Sequence, residues 1–166
     1  MMQIVYLYPT TENDFDDYYM VRSDPDDIYW NGYTNPPEKE GFKKGFLKRT
    51  ASARFEQPED RRNYLIKETV SDLTVGFVQF IRKEDCVEIG YSVSNPFQKR
   101  GYATQALAQG IKLAEEFGLP LIVRIREDNI PSQKVALKNG FVKTDELTEK
   151  TVGVGTIVLR TYALKR

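Results

Sequence analysis

EIGYSVSNPFQKRGYATQAL, residues 88–107, is the stretch whose reading decides the fold. Glu88 to Val93 alternates in the two-residue rhythm of a half-buried strand, with Val87, Ile89, Tyr91 and Val93 on one face and Glu88, Gly90 and Ser92 on the other. Asn95-Pro96 breaks the strand. Gln98-Lys99-Arg100-Gly101-Tyr102-Ala103 then opens a long amphipathic helix with two cations, a glycine and a small residue. Unpaired backbone N–H groups and the helix dipole both favour negative charge at such a start, so the step reads as an anion site suited to a pyrophosphate.

Composition narrows the rest. The 166 residues suit one domain with a real core, and 40% apolar with 29% charged residues fits a folded soluble chain rather than a disordered one. With 24 basic and 24 acidic side chains, nothing global favours a nucleic-acid partner. No run is long enough to span a bilayer and no signal-peptide core opens the chain, so the expected address is cytoplasmic, with no membrane partner. Cys86 is the single cysteine, which excludes an intrachain disulfide. Histidine is absent, which excludes Ser-His-Asp and Cys-His catalysis and imidazole-based zinc sites. Chemistry here must rest on carboxylates, tyrosines, lysines, backbone groups or the substrate's own amine.

Outward from the opening stretch, Gln3 to Tyr8 reads as a first strand, and Thr11 or Asn13 as the cap of a short acidic helix over Asp14 to Met20. Asp24-Pro25 and Asn35-Pro36-Pro37 read as turns flanking the aromatic run Ile28-Tyr29-Trp30, and a helical pattern follows through Phe42, Phe46 and Leu47. Tyr64 to Glu68, Thr74 to Arg82 and Val87 to Val93 predict an antiparallel meander. Beyond it, Ala103, Leu107, Ile111, Ala114 and Phe117 form a helix stripe stopped by Gly118 and Pro120. Leu121 to Ile125 predicts a strand, Pro131 to Asn139 a helix ended by Gly140, and Phe141-Val142 and Thr156 to Leu164 two closing strands. The fold class is α+β.

Three segments now carry a resemblance, in order and spacing. They are Glu88-Ile89-Gly90-Tyr91 with Asn95-Pro96; Gln98-x-x-Gly101-x-Ala103-Thr104-x-Ala106-Leu107; and Asn129-x-x-Ser132 running through Lys138 to Gly140-Phe141. Together they resemble the GNAT superfamily of N-acetyltransferases over essentially the whole chain, nearest the branch of the ribosomal-protein-alanine N-acetyltransferases. The resemblance implies one GNAT-type domain over residues 1–166, with a mixed, mostly antiparallel sheet of six or seven strands flanked by helices. It implies acetyl-CoA as co-substrate and no metal.

Its pyrophosphate would lie on the amides of Gln98, Lys99, Arg100, Gly101, Tyr102, Ala103 and Thr104, with Lys99 and Arg100 adding charge. Its pantetheine arm would pair with Tyr91, Ser92 and Val93 and meet Asn129 and Ser132. The implied reaction passes an acetyl group to an attacking amine, with Glu88 taking the amine's proton directly or through water. Many relatives place a tyrosine acid where this chain has Ala136, so Ser132 through water, or solvent, takes that part. A protein amino terminus is the acceptor the branch suggests, and antibiotics, polyamines and amino acids are the other amines the family uses. A non-catalytic acyl-CoA-binding regulatory module is the reading of another class.

Plainer readings stand beside these. Asn129 and Ser132 suit a turn and a helix start, and Tyr29, Trp30 and Tyr33 suit packing as well as an acceptor pocket. Cys86 reads as a small buried hydrophobe, and Lys43-Lys44 and Lys48-Arg49 as a solvated helix face. Asp24, Asp26 and Asp27 are the acids that would attract a cationic acceptor, and the β-rich carboxy-terminal segment is the candidate homodimer surface.

Overall fold

A computed structural model describes residues 2–52 and 54–165. Its strands are β1 (Val5–Pro9), β2 (Arg61–Glu68), β3 (Thr74–Arg82), β4 (Val87–Val93), β5 (Leu121–Arg126), β6 (Phe141–Val152) and β7 (Gly155–Leu164). Its α-helices are α1 (Phe15–Arg22), α2 (Pro25–Trp30), α3 (Lys39–Ser52), α4 (Tyr102–Ala114) and α5 (Ile130–Lys138). The seven strands form one sheet in the order β1-β2-β3-β4-β5-β7-β6. Every pairing is antiparallel except β4 with β5. This is the mixed α+β GNAT fold the sequence implies.

The meander from β2 to β4 follows from alternating strands joined by short turns, and β3 with β4 is continuous in register from Gly76↔Val93 to Arg82↔Val87. Gly76 is required for that fit, since a Cβ there would stand 2.1 Å from the Ser92 carbonyl oxygen. The parallel pairing of β4 with β5 behaves differently. It holds only at Val87↔Leu121 and Glu88↔Ile122, after which the strands part.

Helices cover both faces. Cluster residues Ile66, Val78, Phe80, Ile89, Leu107 and Val123 bind the sheet to α4 and α5 on one face. On the other, Phe15, Tyr18, Val21 and Phe46 from α1 and α3 pack with Leu65 and Phe77. The α4 stripe sits about one residue from its expected centre: Tyr102, Ala106, Leu107, Gly110 and Ala114 are the buried positions, with Ala103 and Ile111 at its margins. Burial of that stripe rather than helix propensity fixes α4, because Gly110 lies within it where a Cβ would already touch Val78.

Asp24-Pro25 is not a free turn. Asp24 caps α2, accepting from the Asp26 amide at 3.2 Å, and Pro25 takes the first helical position, where its missing N–H costs nothing. Thr11 forms the predicted cap, closing a reciprocal pair with Asp14 ahead of α1. Replacing Gly76 with alanine should lower stability in urea denaturation by about 1–3 kcal/mol, as overpacking against backbone does.

Candidate active site

The parted ends of β4 and β5 open a cleft of about 730 Å³ that runs from the α4 amino terminus to the face beneath α1 and α2. Its floor is kept open at Gly90, where a Cβ would meet nothing within 4 Å.

At one mouth stands the α4 cap. Gly101 is in the left-handed region at φ +82°, and Lys99 is there too at φ +65°. A Cβ on Gly101 would come no closer than 4.0 Å to Ile4, so the glycine answers a backbone conformation rather than a crowded neighbour within the protein. Among the described residues no side chain caps α4. Its first-turn amides therefore remain free for an outside acceptor, and these residues fit an anionic group such as a pyrophosphate.

The loop before the cap is braced by the acids of α2. Asp24 Oδ1 accepts from the Asn95 amide at 3.0 Å, and Asp26 Oδ2 from Asn95 Nδ2 at 2.9 Å and Gln98 Nε2 at 3.0 Å. Gln98 Nε2 also donates to the Val93 carbonyl at 2.9 Å. Asp27 is buried and ion-paired with Arg22 at 3.0 Å. Burial pushes the Asp27 carboxyl up from its ordinary value against the pull of Arg22, while Tyr18 and Asp27 keep the Arg22 guanidinium charged despite its burial. The three acids expected to attract a cation are thus committed to the protein itself.

Of the residues expected at the cofactor, Tyr91, Ser92, Val93, Gln98, Lys99, Gly101, Tyr102, Ala103, Thr104, Asn129 and Ser132 all line this cleft. Several do so with a second duty. Tyr102 buries its ring in the core and gives its hydroxyl to Glu68, leaving its backbone for the cleft. Arg100 is outside the lining: it lies over the Phe97 ring and reaches the Pro96 carbonyl. Asn129 is the α5 cap, its Oδ1 accepting from the Ser132 amide at 3.2 Å, so the plainer reading of that residue holds in full. Trp30 lines the cleft, whereas Tyr29 and Tyr33 are exposed. Cys86 is half-buried in the β3–β4 turn rather than buried.

Glu88 sits on the α1–α3 face of β4, 17% exposed. Arg124 Nη1 stands 3.5 Å from its carboxylate and Lys83 Nζ 4.0 Å, so it is a compensated rather than a solitary charge. On the other face, Tyr91 and Ser132 lock together. The Tyr91 hydroxyl donates to the Ser132 carbonyl at 2.8 Å, and Ser132 Oγ donates to the Tyr91 oxygen at 3.0 Å. Burial pushes the Tyr91 phenol up to about 12, so it keeps its proton across the working range. Ala136 is fully buried in the core.

The sequence reading missed the arginines. Arg22, Arg61, Arg124 and Arg126 line the cleft together with Gln79. Arg49, read as part of a solvated face, turns inward, and its Nε is buried. Arg124 and Arg126 stand on β5 shortly before Asn129, where strand alternation could have placed them; Arg22, Arg49 and Arg61 are far from the motifs along the chain, and only the packing of α1 and α3 on β2 and β3 brings those three in.

The cleft thus has an uncapped helix start at one mouth and a carboxylate among arginines on its other side. The family model of the acetyltransferase (GNAT) domain matches residues 5–142, and the chain belongs to that family. It is an acetyl-CoA-dependent N-acetyltransferase. No curated protein sequence matches significantly. The fold is similar to a GNAT-family acetyltransferase from Bacillus anthracis, at 20% identity and TM-score 0.74 over 99% of this chain and 96% of that one. It is similar to an acetyl transferase from Salmonella typhimurium that modifies the N-terminal serine of ribosomal protein L7/L12, at 17% identity and TM-score 0.74 over 98% and 95%. It is also similar to spermidine N-acetyltransferase from Vibrio cholerae in complex with CoA and spermine, at 13% identity and TM-score 0.77 over 95% and 94%.

The raised Tyr91 value carries a sign. A phenol whose folded value lies above the unfolded 10 stabilises the fold fully below pH 10, and that share is lost as pH rises through about 12. The stability gap between wild type and Tyr91→Phe should therefore stay constant from about pH 6 to pH 10 in urea titrations and narrow only above it.

Proposed function

We propose that the chain acetylates a primary amine by direct transfer, with the amine arriving on the α1–α3 face and the acyl donor lying between β4 and β5. The observation that carries this reading is the two-residue pairing of β4 with β5, which leaves the free edge of Tyr91 to Val93 beside a helix start with unclaimed amides. Acetyl-CoA supplies an acetyl thioester when bound. The amides at Lys99 to Thr104, with the Lys99 side chain, hold its diphosphate, whereas the Gln98 amide, expected there too, is spent on the Asn95 carbonyl at 3.3 Å; the β4 edge with Asn129 and Ser132 holds its arm.

Glu88 receives the proton that the amine loses, directly or through water. Arg124 and Lys83 fix the carboxylate's position on the cleft wall. The departing thiolate takes its proton from solvent, through a water held at the Ser132 Oγ that Tyr91 orients, a place Ala136 cannot fill. Because Tyr91 points its own proton at the Ser132 carbonyl, it acts as a positioning residue for that serine. A protein amino terminus is the acceptor we favour, in keeping with the Salmonella neighbour; the spermine-bound neighbour supplies the small-molecule alternative.

Calorimetric titration with acetyl-CoA tests the donor half. Binding should be saturable below about 1 mM, the upper end of ordinary KM values, and no binding there sinks the assignment. Gly101→Glu forces a side chain into a left-handed position and sets a negative charge at the cradle, so binding should weaken by at least about tenfold. Glu88→Gln should lower kcat by about 10²–10⁴-fold with the KM for acetyl-CoA unchanged. An unchanged kcat removes Glu88 from the reaction.

A further inference from the structure

A second chamber of about 360 Å³ lies between α1, α3 and the β2–β3 face, and three arginines converge on it: Arg22, Arg49 and Arg61. It shares Arg22, Arg61 and Gln79 with the wall of the main cleft, so it continues the acceptor side rather than forming a separate hole. The sheet register explains the continuity. Arg61 pairs with Ile81 and Ile81 with Glu88, which puts Arg61 and the proposed proton acceptor on one row of one face.

Two of these guanidiniums are held in place. Arg22 is fixed by Asp27 at 3.0 Å and by the Tyr18 hydroxyl at 3.1 Å, and lies over the Phe77 ring. Arg61 Nη1 donates to Gln79 Oε1 at 3.3 Å, and Gln79 is itself tied to Asn63 at 2.8 Å. Arg49 is different. Its Nε is buried with no hydrogen-bond partner among the described residues. Burial lowers its pKa from the ordinary value; Tyr18 opposes the shift, and Arg61 and Arg22 add to it.

Against three guanidiniums the chamber offers little negative charge. Asp27 belongs to Arg22, and Glu59, which also lines the chamber, is paired with Lys83 at 2.8 Å. A half-buried guanidinium with a buried, unpartnered Nε beside two other cations is costly unless an anion completes it. Planar arginine forks match a carboxylate's two oxygens better than any other side chain does. The donor's phosphates have their own cradle at the α4 start, on the opposite face of the sheet.

On the transferase reading above, we infer that the acceptor is an amine that also carries a carboxylate, held by Arg22, Arg49 and Arg61 while its amine reaches Glu88. Amino acids with a free carboxylate and peptides with an acidic residue near the amino terminus share that chemistry. Polyamines and aminoglycosides, which are purely cationic, are repelled by the same chamber.

The test is CoA release with acceptors matched in pairs: Ser-Glu-Ala-Ala amide against Ser-Lys-Ala-Ala amide, and free glutamate against lysine amide, with spermidine alongside. In each pair that turns over, the anionic member should have the higher kcat/KM by at least about tenfold, and which pair responds tells a peptide from a free amino acid. Arg49→Gln should erase that preference through KM, Arg49→Lys should restore part of it, and the KM for acetyl-CoA should stay unchanged in both.

Faster turnover of spermidine or the lysine members overturns the inference, as does a preference that survives Arg49→Gln. If no member turns over, the same peptides and amino acids are titrated into the acetyl-CoA complex. Binding of the anionic members alone, lost in Arg49→Gln, supports the inference, and its absence overturns it. A protein that binds no acetyl-CoA fails the transferase reading instead, a separate result.

Discussion

Everything about this molecule turns on where β4 stops pairing with β5. A sheet gains its hydrogen bonds by running strands together, and backbone groups left unpaired inside a protein are costly unless another partner takes them. Here the parallel pairing ends after Glu88↔Ile122, and the strands diverge with Tyr91 to Val93 paired to β3 but to no strand on the other side, where the Val93 carbonyl accepts from Gln98 Nε2 at 2.9 Å. The remaining edge faces a cleft. The fold thus presents a backbone that a ligand, rather than a further strand, can complete, and it does so in the middle of the sheet, where aggregation at an open edge is not a hazard.

The surroundings serve that opening. Gly76 brings β3 close enough to hold β4 from behind, and Gly90 keeps the floor clear. Asp24 and Asp26 fasten α2 to the loop at Asn95 and Gln98, so the acidic segment that looks like an electrostatic lure acts as a brace for the anion cradle. Tyr91 and Ser132 join the two walls through a pair of hydrogen bonds. A cleft prepared in this way loses little order on binding, and transfer between two bound reactants depends mainly on such positioning.

Much of this was legible along the chain, and the reason is local. The strand rhythm of Val87 to Val93, the glycine at 101 and the asparagine at 129 each answer a constraint within a few residues of themselves: alternation, a left-handed backbone, a helix cap. The donor side is assembled from such short pieces, so the sequence displayed it. The acceptor side is not. Arg22, Arg49 and Arg61 come from α1, α3 and β2 and carry no spacing in common; Arg49 even sits in a lysine-rich run that reads as solvent-facing. Only the packing of two helices on the far face of the sheet turns it inward. Asp27 misleads in the same way, since its partner Arg22 belongs to the preceding helix.

The central claim is that the parted β4 edge and the α4 start together receive the acyl donor. Amide hydrogen–deuterium exchange with and without acetyl-CoA tests it at the level of single segments. Acetyl-CoA should slow exchange at residues 91–93 and 98–104 while the β1–β2 and β6–β7 pairings are unaffected. Saturable binding that leaves both of those segments unprotected would contradict it.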